Sequence, residues 1–277
     1  INNRTKKIFD RWDSDSGVRS KPNQYTLSSA AIESAITKNW FPPDMLPFLK
    51  HPSIKSMPAA TIKYLQAHYL VHFLYYTTTL EHTIVNRAVE NIVYERMGIY
   101  LSKEARAAGL KIYTDEGYHA QYSAELAEQI SNHFNFSRIL SARIEKLNNL
   151  LQSTERSHRP LTQFLVGFVS ETIIATELLD LARHKLIDPV HHVFRDHLHD
   201  EARHAIYFSD CFVSVWQQLK LEERAFAARI LANILDVFCQ FDYRWLAISL
   251  AACPTPPASP SGINKKKKKS ASQRKKL

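Results

Sequence analysis

Two short motifs repeat in this chain: Asp115-Glu116-x-x-His119 and Asp200-Glu201-x-x-His204. Glu and His three residues apart share one face of a helix, so both side chains of each motif can reach one metal ion. One ExxH is a common surface pair. The doubled DExxH, with its glutamates 85 positions apart, is a much sharper signal. A helical bundle that binds a metal pair takes Glu-x-x-His from two helices and one inward Glu from each of the other two. Glu81, after Tyr75-Tyr76-Thr77-Thr78-Thr79-Leu80, and Glu171, within Phe164 to Ile174, are the carboxylates that sit in runs with few charges. Left alone in such a setting they would be costly, and a cation relieves that cost. Glu90 lies about half a turn round from Glu81, Glu177 about 120° from Glu171, and Glu95 beside Arg96 reads as a solvent pair. His197 precedes Glu201 by four and shares its stripe with His204, Val190, Phe194 and Phe208. It reads either as a further ligand or as a core histidine.

The donor set has carboxylates and imidazoles and no thiolate, which favours iron or manganese over structural zinc or an Fe–S cluster. Four carboxylates balance two divalent ions. A ligating histidine usually donates its other N–H to a carboxylate, so Asp115 and Asp200 are expected each to orient the histidine of the other motif, with Arg203 pairing one of them. A bundle with buried salt bridges and no metal is the competing reading, but the nearest cations, Arg87 and Arg203, are few for so many acids.

The elements that must position these residues are helices. Six glycines in 277 residues leave little material for tight turns or Gly-rich loops. The glycine- and proline-free run Tyr64–Met97 reads as one helix, with Gly98 at its C′ position. The next helices are expected over Ser102–Phe134, Pro160–Leu186 and from Asp188, as N-cap before Pro189, to Leu219. Ser137–Gln152 reads as a surface helix in a long connection, and Leu221–Ala252 as a last helix. The expected fold is all-α: a ferritin-like four-helix bundle core with additional helices. Residues 1–57 are expected to form an extension of short helices and loops packed on the core, 58–253 the di-metal helical domain, and 254–277 a disordered Pro/Ser- then Lys-rich tail.

These residues resemble the p-aminobenzoate N-oxygenase (AurF) family of ferritin-like di-iron carboxylate proteins. The resemblance runs over roughly residues 60–250 and rests on four spaced elements: Glu81, Glu116-x-x-His119 35 residues on, Glu171, and His197-x-x-x-Glu201-x-x-His204 26 residues after that. It implies two iron ions with Glu116 and Glu201 bridging, Glu81 and His119 on one iron, and Glu171, His197 and His204 on the other. It implies O2 as co-substrate, an external electron donor or redox partner, and oxidation of a primary amine to hydroxylamine, nitroso or nitro. The substrate would be an arylamine or amino-acid-derived amine, free or carrier-bound, in natural-product biosynthesis. A homodimer is implied as well. A di-iron oxidase acting at carbon is the alternative, and an iron-binding or peroxide-scavenging protein a more distant one. Thr77, Thr78, Ile174, Leu178, Phe194 and Phe208, one turn from the ligands, are the pocket candidates. No buried Arg or Lys stands out to hold a substrate carboxylate.

The net charge of +9 is mostly a tail property, because Asn264–Leu277 carries eight of the positive charges and no acid. The body is nearly neutral, so no nucleic-acid partner is expected. No apolar run approaches 18 residues, and Cys211, Cys239 and Cys253 form no CxxC pair. The expectation is a chain with no membrane span, located in the cytoplasm.

Overall fold

A computed structural model describes residues 7–21 and 25–253. The expected tail, 254–277, lies outside the described residues. The described chain is helical, with one isolated bridge between Asn39 and Leu186, and no described helix is long and apolar enough to cross a membrane.

The first core helix is not one rod. It runs as α1 (Ala59–Leu80), a π-helical turn (Glu81–Val85) and α2 (Asn86–Val93). At the turn Asn86 N–H donates to Glu81 C=O, five residues back. The hydroxyls of Thr77 and Thr78 both donate to Leu74 C=O, Thr79 donates to Tyr75 C=O and Thr83 to Thr79 C=O. Such back-bonding competes with the i→i−4 ladder and loosens it. The helix also stops early: Glu95 turns left-handed at φ 55° and Arg96 N–H donates to Asn91 C=O, so Gly98, at φ 66°, falls in the following turn. Glu95 pairs with Arg106, while Arg96 pairs with Glu90.

Helix α3 spans Lys103–Phe134, capped by the Ser102 hydroxyl at its start and by left-handed Asn135 at its end. Helix α4 (Ala142–Ser153) crosses in the long connection to α5 (Arg159–Leu181). Helix α5 ends short of Leu186 because Asn39 pairs with that segment: Ile187 N–H donates to Asn39 C=O and Asn39 N–H to Lys185 C=O. Helix α6 spans Asp188–Gln218. Its N-cap is Ile187, whose carbonyl accepts from His191 N–H, and Asp188 instead pairs with Lys38 across the surface. The final stretch breaks into α7 (Leu221–Cys239) and α8 (Tyr243–Ala251). Asp242 accounts for the break, since its carboxylate accepts from Trp245 N–H and from Ala142 N–H and so caps two helices at once.

The core helices close a ring: α1 on α3, α3 on α6, α6 on α5, and α5 on α2. Helices α3 and α5 are joined by the long crossover through α4. The α5–α2 contact is close enough that a Cβ on Gly167 would stand 2.5 Å from the Ala88 Cβ. Phe9, Trp40, Phe41 and Leu46 from the N-terminal segment are buried in the same apolar cluster as the bundle.

Candidate metal centre

Each core helix brings its acidic or imidazole residues inward at the same level. Glu81, Glu116, His119, Glu171, His197, Glu201 and His204 are all buried, at 0–2% exposure. His204 Nδ1 is 2.7 Å from Glu116 Oε1, 3.0 Å from Glu201 Oε1 and 3.5 Å from Glu171 Oε2. His119 Nδ1 is 3.2 Å from Glu201 Oε1 and 3.6 Å from Glu116 Oε2. His197 Nε2 is 3.0 Å from Glu81 Oε1 and 3.5 Å from Glu201 Oε1. Donor atoms of Glu116, His119, Glu201 and His204 lie within 4.8 Å of one another, as do those of Glu81, His119 and His197.

The π turn puts Glu81 in this cluster. It adds a residue to the helix at the position where the carboxylate leaves the backbone, which re-aims the side chains on either side. His197 Nε2 stands beside Glu81 Oε1 and Glu201 Oε1, in one donor group with Glu81 and His119.

The charges of the cluster are set by burial against mutual attraction. Burial raises Glu81 and Glu171 above the usual carboxylate range, and for Glu171 the neighbouring Glu201 and Glu116 charges add to it. Burial also acts on Glu201, but His204, His119 and His197 outweigh it and hold that carboxyl well below its usual range. Burial alone would lower the imidazoles. The adjoining Asp200, Glu116 and Glu201 carboxylates lift His119 well above the usual range, Glu201 and Glu116 do so for His204, and Glu81 raises His197 to about 9. The site therefore concentrates negative potential at its centre.

Metal fits this donor set. Both carboxylate oxygens of Glu81, Glu116 and Glu171, with Glu201 Oε2, His119 Nδ1 and His197 Nε2, are buried and make no well-aligned hydrogen bond among the described residues, although they crowd within a few ångströms of one another. Orphaned polar atoms are rare in a folded core and demand an account, and a shared cation provides one. All-oxygen-and-nitrogen donors, with bridging carboxylates available, suit a pair of iron or manganese ions.

The aspartates behind the histidines cross between helices. Asp200 Oδ2 is 3.1 Å from His119 Nε2, and Asp115 Oδ2 is 3.2 Å from His204 Nε2. Arg203 donates to Asp200. Burial would raise the Asp200 carboxyl, but the hydrogen bond and charge of His119, with His204 and Arg203, hold it down at about 2. These contacts leave each Nδ1 facing the carboxylates. Two further partners carried no sequence signal: Trp12 Nε1–H donates to both Asp115 oxygens at 2.9 and 2.8 Å, and Gly17 N–H is 3.0 Å from Asp200 Oδ2.

The pocket candidates are placed as packing. Ile174, Leu178, Phe194 and Phe208 are buried, and Thr77 and Thr78 spend their hydroxyls on Leu74 C=O. None of the six lines the cavity of about 300 Å³ beside the bundle, which is walled by residues that include Tyr69, Phe73, Tyr76, Arg143, Glu177 and Phe238. Phe73 packs on Phe194, three residues before His197, at 5.8 Å between ring centroids. Tyr76 lies five residues before Glu81. Arg143 comes from α4, so the connection between core helices supplies a half-buried cation to the cavity. Its guanidinium sits 4.9 Å from the Tyr76 ring and 5.1 Å from that of Phe238, and donates to Phe238 C=O at 2.9 Å. Burial works against its charge, but Tyr76 and Glu177 more than restore it. Burial raises Glu177, and Arg143 partly offsets that.

Residues 23–253 match the family described as P-aminobenzoate N-oxygenase AurF. No curated protein matches the chain.

Proposed function

We propose that this chain, which belongs to the P-aminobenzoate N-oxygenase AurF family of di-iron amine N-oxygenases, oxidises the amino group of an arylamine, with Glu81, Glu116, His119, Glu171, His197, Glu201 and His204 as its iron ligands. The observation that carries the reading is the convergence of orphaned carboxylate oxygens and imidazole nitrogens from all four core helices. Two iron ions bound there would supply O2 reduction and the oxidant for oxygen transfer to nitrogen. The first oxidation balances as amine, O2, two electrons and two protons to hydroxylamine and water, so a reductant must supply the electrons. Residues 58–253 carry this chemistry, and the described residues before 58 pack against them.

The chain's own residues hold and orient. Glu116 and Glu201 stand between the two groups of donors, with Oε1 of Glu201 near all three histidines, which suits bridging. Asp200 and Asp115 accept the Nε2 protons of His119 and His204, leaving each Nδ1 to coordinate. The aromatic cavity is the proposed substrate site. Tyr69, Phe73 and Tyr76 would face an aromatic ring, and Arg143 would take an acidic substituent bidentately.

The test is rapid mixing of anaerobic Fe(II)-loaded protein with O2, with and without arylamines that carry or lack a carboxylate. An optical transient discharged by an amine, with an N-oxidised product, is the expected result. A product carrying a new C–O bond would move the reaction to carbon. Oxidation to ferric iron indifferent to every amine would overturn the assignment.

A further inference from the structure

Residues 9–21, outside the stretch that matches the family, are fastened to the two helices that carry the DExxH motifs. Phe9 is buried edge-on against Tyr207 of α6, with ring centroids 6.1 Å apart. Lys111 of α3 donates to Phe9 C=O and lies 5.3 Å from the Trp12 ring. Tyr118 of α3 donates its hydroxyl to Lys21 C=O, and Lys21 pairs with Asp196 of α6 at 2.7 Å. Between these fastenings the segment makes two contacts directed at the metal centre. Trp12 Nε1–H reaches both oxygens of Asp115, and Gly17 N–H reaches Asp200. Each falls on the oxygen that holds a histidine: Asp115 Oδ2 for His204, Asp200 Oδ2 for His119.

Position 17 admits no side chain without a shift. A Cβ there would stand 2.9 Å from Asp200 Oδ2, so a side chain at 17 displaces the carboxylate end that its N–H now holds. The outer torsion of an aspartate is broad and two-fold, and a second donor narrows it. A fixed carboxylate in turn fixes the ring plane and tautomer of the imidazole bonded to it.

We propose that residues 9–21 are a positioning strap for the metal centre: Trp12 and Gly17 lock Asp115 and Asp200, and through them hold His204 and His119 with Nδ1 aimed at the carboxylate cluster. The proposal rests on the ligand set above. Trp12 and Gly17 are positioning residues that touch no reacting atom. The strap couples the register of the N-terminal segment to both motifs at once.

The test is Co(II) titration of the full chain, followed by visible absorption and equilibrium affinity, for wild type, Trp12→Phe, Gly17→Ala, Asp115→Asn and Trp12→Phe/Asp115→Asn, with helicity and thermal melting recorded for each. Wild type is expected to bind two Co(II) per chain. Trp12→Phe and Gly17→Ala are each expected to lose about tenfold or more in metal affinity while keeping wild-type helicity. Trp12→Phe should add little once Asp115 is Asn, because the two act in one chain of contacts; a strap that merely supports the fold would give additive losses. Wild-type affinity in both single variants, or additive losses in the double variant, overturns the strap alone. A wild-type chain that binds no Co(II) overturns the ligand set and the strap together.

Discussion

At the scale of single residues, His197 is the ligand to test first. The family resemblance implies that it shares a metal with Glu171 and His204, while its Nε2 stands 3.0 Å from Glu81 Oε1, which we propose puts it on the Glu81 side. His197→Ala is therefore expected to weaken one metal by about ten- to a hundredfold. That loss should be non-additive with Glu81→Ala and additive with Glu171→Ala in metal-affinity measurements. Additivity with Glu81→Ala would return His197 to the other ion. Arg143 makes a second residue-scale prediction. Arg143→Gln is expected to raise KM for a carboxylate-bearing arylamine by about tenfold or more, the worth of a charge-assisted hydrogen bond, while the iron content stays at the wild-type value. An unchanged KM would remove Arg143 from substrate binding.

At the scale of elements, the bundle depends on how closely its helices approach. The Gly167–Ala88 contact leaves no room for another methyl group. Gly167→Ala is expected to destabilise the protein by about 1–3 kcal/mol through overpacking. Ala88→Gly in the same chain should recover part of that loss, limited by its own cost of about 1 kcal/mol as a glycine within a helix. Chemical denaturation of the two single variants and the double variant measures the coupling, and its absence would mean that α2 and α5 shift apart freely. The π turn works on the same scale. Its threonine-rich approach, Thr77-Thr78-Thr79, is legible in the sequence, but back-bonding threonines also occur in ordinary helices, so the run alone does not mark where the extra residue enters. Gly98 misleads in the opposite direction. It is left-handed as a C′ glycine would be, but Glu95 has already ended the helix.

For the whole molecule, the buried histidines away from the metals add to the loss of stability in acid. His68 is 4% exposed and stacks on Phe136 at 4.3 Å, with neither ring nitrogen paired among the described residues. Burial lowers it from 6.5 to about 4. Between those values the unfolded chain binds a proton that the folded chain refuses, so stability rises with pH across this window and is lost as pH falls from 6.5 toward 4. The loss from His68 is of order 2–3 kcal/mol. Urea unfolding at pH 7 and pH 5 should show it, and His68→Phe should flatten the profile. A variant with the wild-type pH dependence would assign the acid sensitivity elsewhere, first to His72, which burial also lowers to about 4 against the pull of Asp242.

Residue type and helical period were enough to read the all-helical class, the four core helices and the buried acids and imidazoles, because a helix repeats every 3.6 residues and its inward stripe is written locally. Inward charges among Phe164 and Ile174 or Thr79 and Leu80 have few stable explanations in a dry core, so Glu81 and Glu171 stood out without any structure. The rest depended on segments distant in sequence meeting in space. Asn39 ends α5, Asp242 breaks the last helix while capping α4, Arg143 enters a cavity from a connecting helix, and His197 turns toward Glu81. Trp12 and Gly17 reach the aspartates across about a hundred and about a hundred and eighty residues of chain. No local pattern records such contacts, because a hydrogen bond between distant segments constrains neither the period nor the composition of either one; only the packed bundle brings donor and acceptor together.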